Sequence, residues 1–264
     1  MRALVPLLAV LALAPAACGG DGDNAQSILA ETSANLGEIR SGDLSMEVVF
    51  AARDGGQAGF TLEGPFALRP GQLPEAQLDY TQIAGEQTMT QTFIAAGGKA
   101  YVRIGGTTYE LPQETAAGIG STVGSSGGLG AIDLTSWVQD PALGSGEEIG
   151  GDVTERISAD LNVSATVNTL MQIASQLGGS QPLAALSGTS AEQVENAVAS
   201  ARIDVWTGSE DRLLRRLQVA LDFAPSAEKV RDLLGTSLDF TLEIANPNEP
   251  VSVEEPTDVQ PFAP

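Results

Sequence analysis

Few residues of this chain have the types and spacing that chemistry needs. Gly124-Ser125-Ser126-Gly127-Gly128 matches the G-x-S-x-G spacing of a hydrolase nucleophile elbow. That elbow works only between a strand and a helix, with a histidine to take the serine proton. The 264 residues include no histidine, so the stretch reads as a loop. Ser226-Ala227-Glu228-Lys229 has S-x-x-K spacing, but its usual S-D-N and K-T-G partners are absent; Ser226 reads as a helix cap. The Gly-rich stretch 118–130 lacks the G-K-[ST] ending of a phosphate loop. Glu147-Glu148 and Glu254-Glu255 are adjacent in sequence, and adjacent acids diverge rather than pair for proton transfer. With one cysteine and no histidine, the commonest zinc ligands are missing. The sequence therefore predicts no enzymatic role, no metal and no cofactor.

The single cysteine, Cys18, is the one reactive group in a telling place. Arg2 precedes a short apolar run, Leu4 to Leu13, and small residues Ala14, Ala16 and Ala17 lead into Cys18. The run is well short of the ~20 residues that span a bilayer. Residues 1–17 are expected to be a cleaved signal sequence. The stretch resembles a bacterial lipobox, with Pro15 where leucine is usual, so Cys18 is the expected site of acylation. A single chain holds a protein only marginally to a membrane, whereas two or more anchor it stably. Residues 18–24, ending Gly22-Asp23-Asn24, read as a flexible polar tether.

The charge limits the partners. The formal net charge of −21 excludes nucleic acid, which needs a basic surface. It also opposes electrostatic docking on an anionic membrane, so the acyl anchor must do the holding. Arg212, Arg215 and Arg216 form a basic cluster. Pairing with nearby acids is the simpler reading, and contact with an anionic headgroup or polymer is the alternative.

The elements that would position a site follow from periodicity. Residues 25–39 have helical spacing (Ile28, Leu29, Thr32, Leu36, Ile39). The period then becomes two, with Leu44, Met46, Val48 and Phe50 on one face, and Phe60, Leu62, Phe66 and Leu68 follow suit. Strands are expected at 76–83, 88–95, 99–104 and 107–111, with hairpin turns at Gly97-Gly98 and Gly105-Gly106. Residues 112–131 read as a long loop. A short helix at 134–138 should end at Asp140-Pro141. A strand is expected at 153–161, with Val153, Ile157, Ala159 and Leu161 alternating. Helices are expected at 164–177 and from Ser190, then strands at 202–207, 213–223 and 236–244, with a short helix within 225–235. Residues 246–264 are Pro-rich and acidic and read as an extended tail. The outline is α+β, an antiparallel sheet with helices against one face.

The many aliphatic strand faces read equally as a packed core or as the wall of a hollow. Apolar concave sites take apolar ligands. The order of several short stretches then carries a resemblance: Gly42-Asp43-Leu44-Ser45-Met46-Glu47-Val48, Lys99-Ala100-Tyr101-Val102-Arg103, Thr107-Thr108-Tyr109-Glu110-Leu111, Gly150-Gly151-Asp152-Val153-Thr154-Glu155-Arg156-Ile157, Ile203-Asp204-Val205-Trp206 and Leu213-Leu214-Arg215-Arg216-Leu217. In that order the chain resembles actinobacterial lipoproteins of the LppX/LprG type, within the LolA-like superfamily. The resemblance implies a half-open β-barrel, a curved antiparallel sheet with helices packed on its concave face, over residues 25–245. It implies an extracytoplasmic lipoprotein that binds acyl chains in an apolar cavity and carries or presents them across the cell envelope. The expected partners are lipids or lipidated molecules, the membrane and an envelope transporter. The expected lining is Met46, Val48, Phe50, Leu62, Leu78, Phe93, Leu170, Met171 and Val219. The alternative is a non-transporting envelope protein whose solid domain docks a partner.

Overall fold

The computed structural model describes residues 24–52, 55–69, 71–118, 128–166, 168–169 and 191–262. Cys18, Ser126, Leu170, Met171 and Ser190 lie outside the described residues, as does most of the helix expected at 164–177.

The chain enters through helix α1 (Ala25–Asn35). Asn24, which the sequence places in the tether, instead caps this helix: its Oδ1 accepts from the Ser27 N–H at 2.8 Å. Such a cap satisfies one of the four orphan donors of a helix start. Ala25, Ile28, Leu29 and Thr32 form the buried face, continued by Leu36 and Ile39. Thr32 also donates to the Thr207 hydroxyl at 2.9 Å, and Thr207 donates to the Leu213 carbonyl. This buried polar chain ties the helix to the sheet beneath it.

The rest of the described residues are dominated by one sheet of thirteen strands. In chain order they are β1 (Ser41–Ala51), β2 (Gln57–Ala67), β3 (Glu75–Ala84), β4 (Gln87–Ala96), β5 (Lys99–Ile104), β6 (Thr107–Glu110), β7 (Val138–Gly144), β8 (Glu148–Ile149), β9 (Asp152–Leu161), β10 (Val198–Gly208), β11 (Leu214–Phe223), β12 (Ser237–Ala245) and β13 (Val259–Pro261). Their order across the sheet is β13-β6-β5-β4-β3-β2-β1-β12-β11-β10-β9-β7, with β8 attached to β9. The sheet is curved and unclosed. Neighbours are antiparallel except β13, which lies parallel to β6. Tight Gly-Gly hairpins join β4 to β5 and β5 to β6; Gly105 and Gly106 have φ of 56° and 84°, the left-handed values such turns need. Within β2, Gly64 has φ 138°, and a Cβ there would sit 2.1 Å from the Gln77 carbonyl oxygen.

Three expectations need correction. Asp140-Pro141 does not stop the chain: the helix Leu134–Trp137 runs straight into β7, which contains both residues. Proline is tolerated because β7 is an edge strand and a bulge lies between Gln139 and Ala142. Along the expected strand at 153–161, Val153 is exposed at the start and Ile157, Ala159 and Leu161 are buried. The loop expected at 112–131 contains a helical turn at 113–118. Ser226 is not a cap: helix Glu228–Leu234 begins after Ala227, which makes no side-chain capping bond.

The core lies on one face of the sheet. Helix α1, helix Leu134–Trp137, helix Ala191–Ala197 (Val194, Ala197) and helix Glu228–Leu234 (Val230) pack against inward residues of β9 to β12. No helix among the described residues is long and apolar enough to cross a membrane.

Candidate binding face

The strand register arranges the inward side chains in rows that cross the whole sheet. Met46 lies opposite Leu62 on one side and Leu242 on the other. From Leu62 the row runs on through Tyr80, Gln91 and Ile104. From Leu242 it runs through Leu217, Val205 and Ile157. The next row passes Met89, Gln82, Phe60, Val48, Phe240, Val219, Ile203 and Ala159. A third links Leu78, Phe93, Val102 and Tyr109. Period-two alternation makes such rows, because a strand sends every second side chain to the same face.

These rows have two unlike halves. Under the helices, Ile157, Ile203 and Leu217 are each 1% exposed. Beyond β1 the cover is uneven: Phe66, Ala76, Ala100 and Val102 are buried, Met46, Val48, Phe50, Phe60, Leu62, Leu78 and Tyr80 are half-buried, and Phe93, Ile104 and Met89 are 37%, 44% and 56% exposed. The second half is an apolar trough, floored by β1 to β6. Its aromatics are in contact: the Phe60 and Tyr80 rings are 5.6 Å apart, and Tyr80 and Phe93 6.4 Å.

Charge is sorted between the two faces of those strands. Asp43, Glu47, Glu63, Glu75, Asp79, Lys99, Arg103 and Glu110 all fall, by register, on the opposite face from the trough. The polar residues that face the trough, Tyr80, Gln82, Gln87, Gln91, Thr107 and Tyr109, are of uncharged types. Nothing in it is arranged as an acid–base pair, and no cluster of metal-ligating side chains occurs among the described residues.

Of the residues expected to line a site, Met46, Val48, Phe50, Leu62, Leu78 and Phe93 share this face. Val219 shares its row but lies in the covered half, 6% exposed and part of the packed core. Leu170 and Met171 lie outside the described residues. Ile104, Tyr109 and Phe262 belong to the trough's far edge and were not singled out by sequence. Alternation within 99–104 and 107–111 was the available signal for the first two.

The basic cluster is spent internally. Arg215, 5% exposed, donates to Asp152 and Asp211, each at 2.8 Å. Arg216 pairs with Glu243 and Glu147, and Arg212 with Glu155 and Glu31. Arg156 and Arg216 stack over the Trp206 ring at 5.1 and 5.3 Å. Burial pushes the Asp211 carboxyl up, but the Arg215 hydrogen bond, the Leu213 N–H and the Arg215 charge outweigh it, and the carboxyl sits below its usual range.

The tail is extended, as expected, but docked. Asn248 accepts from the Arg40 N–H at 2.8 Å, and Val253 and Val259 pack on Ile94, Ala96 and Tyr101, on the side away from the trough. Tyr101 donates to Glu255 Oε1 at 2.6 Å. Burial, and then the bond to the Glu255 carboxylate, hold the Tyr101 hydroxyl well above its usual pKa.

Comparison with solved structures places this architecture. LprF from Mycobacterium bovis matches with a TM-score of 0.54 at 16% identity, over 88% of this chain and 96% of that one. The chain has the LprF fold. LppX, a lipoprotein of Mycobacterium tuberculosis, is similar at 16% identity over 86% of this chain and 98% of its own, with a TM-score of 0.46. A LolA superfamily protein from Nitrosomonas europaea follows at 9% identity, 85% and 94% coverage and a TM-score of 0.24. Of these three, the LprF match is the one with a TM-score above 0.5. No protein-family model and no curated protein sequence matches the chain. The curved, unclosed antiparallel sheet of this chain is the architecture that the sequence resemblance led one to expect.

Proposed function

We propose that this protein is a non-enzymatic lipid carrier of the cell envelope, anchored through acylated Cys18, that shelters acyl chains in the trough of β1 to β6 and carries or presents them. The observation that supports this most is the sorting of charge: a half-exposed apolar face without a single ionised side chain, in a chain of net charge −21. Exposed apolar patches of this kind are rare on soluble domains unless something binds them. Strands are spaced ~4.8 Å apart, so the five from β1 to β5 span about 19 Å, enough for a long extended acyl tail to cross them. Each Å² of apolar surface removed from water contributes about 25 cal/mol, so a tail lying across several rows is held without any charged contact. The sheet of this chain, which does not close, fits this reading. An envelope transporter is the expected recipient or donor of the cargo.

The test uses the mature-length chain with Cys18→Ser, incubated with mixed lipid vesicles, re-isolated and examined by mass spectrometry. Co-purifying acyl lipids are expected, and Val48→Asp, which puts a charge in the middle of the trough, should abolish them while leaving the thermal midpoint within a few degrees. Empty protein from every lipid mixture would instead favour a solid domain that docks a partner protein.

A further inference from the structure

The trough does not end at β6. Residues 259–261 add a parallel strand there, pairing Val259 with Thr108, Gln260 with Tyr109 and Pro261 with Glu110. The next residue, Phe262, donates its N–H to the Glu110 carbonyl at 3.2 Å. Alternation decides where these side chains go. Val259 joins the small cluster on the charged face. Phe262 falls on the other face, beside Tyr109, with the two rings edge to face at 6.1 Å and 87°. It remains 39% exposed. The strap thus passes from the back of the sheet around its edge and sets an aromatic ring at the end of the row Leu78, Phe93, Val102 and Tyr109.

What holds the strap is on the back. Tyr101, 1% exposed, donates to Glu255. Lys99 lies 3.7 Å from the same carboxylate, and Val253 and Val259 cover Ile94, Ala96 and Tyr101. The attachment is therefore separate from the trough, and Phe262 is the strap's contribution to the trough side. An exposed phenyl ring at the margin of an apolar face gains little from its place unless something apolar lies against it.

We infer that the C-terminal strap completes the ligand platform, with Phe262 as the outermost contact for an acyl chain lying in the trough. This rests on the carrier reading above. Phe262 is then a specificity residue: it extends the apolar row beyond the last hairpin strand, so long chains feel it and short chains do not.

Tryptophan reporters test it in the mature-length Cys18→Ser chain. Phe93→Trp reports the trough and Phe262→Trp reports the strap, with a long-chain fatty acid brominated both at mid-chain and near its methyl end as contact quencher. Native Trp137 and Trp206, 2% and 6% exposed, give the background. Quenching at both positions by the long-chain acid, with Phe262→Trp spared by a short-chain one, is the expected result. Phe262→Ser should weaken long-chain binding about fivefold and leave short-chain binding unchanged, the worth of one half-buried aromatic contact. Quenching of Phe93→Trp but not of Phe262→Trp would overturn the strap's role and leave the carrier reading standing. Quenching at neither, or at Phe262→Trp alone, would overturn the carrier reading and this inference with it.

Discussion

Arg215 shows how much this structure asks of one side chain. It is nearly buried, yet it bridges Asp152 on β9 and Asp211 in the turn before its own strand, and donates to the Leu213 carbonyl as well. A guanidinium can do this because its donors are fixed in a planar fork; an ammonium is a single point charge on a flexible stem. Arg215→Lys should therefore cost about 2 kcal/mol, measured by urea unfolding, because a charged hydrogen bond is lost in a nearly buried place. The acids set the pH dependence. Asp211 has its carboxyl held below the usual range, and so does Asp133, first by the Thr135 hydroxyl and then by backbone N–H groups at its helix start. A carboxyl more acidic in the folded chain than in the unfolded one adds stability above the unfolded value of about 3.9 and loses it as the pH falls through the folded one. The unfolding midpoint should drop as the pH falls below about 4, and Asp211→Asn should flatten part of that drop.

Among the elements, the strap is the one with its own switch. Tyr101 is buried against Glu255, so its hydroxyl keeps its proton more tightly when the strap is docked. Here the raised value makes docking complete below the ordinary tyrosine pKa of about 10 and progressively lost above it. Protection of the Val259, Gln260 and Phe262 amides, corrected for the intrinsic base-catalysed exchange rate, should fall at about pH 11 relative to pH 8, and Tyr101→Phe should reduce that fall. The strap was also the least legible part of the sequence. Three paired residues carry no alternation to read, and their partner strand lies some 150 positions earlier. By contrast β1 to β6 were readable, because Leu44 to Phe50 and their successors alternate and Gly-Gly pairs mark the hairpins. β7 was missed for a different reason: Asp140-Pro141 is a stop signal in a helix or a central strand and is neither at a sheet edge.

Across the molecule, the candidate face was half legible. Alternation identifies which side chains share a face, which is why Met46, Val48, Phe50, Leu62, Leu78 and Phe93 fall together. It says nothing about which strands lie beneath a helix, and Val219 was for that reason taken for lining when it is core. Only the long-range order of strands, with β12 inserted beside β1, decides where cover ends and exposure begins. The two outermost strands hold a further lesson. Each carries a proline, Pro141 in β7 and Pro261 in β13. Pro141→Val should leave the monomer folded yet raise aggregation, seen as light scattering on concentration. Proteins fixed by one end to a membrane are crowded into a plane, where flat sheet margins meet often. If the chain is anchored through Cys18 as proposed, a proline on each margin denies a passing neighbour a donor it would need to continue the ladder, so that a dense lawn of these molecules stays a lawn of individuals.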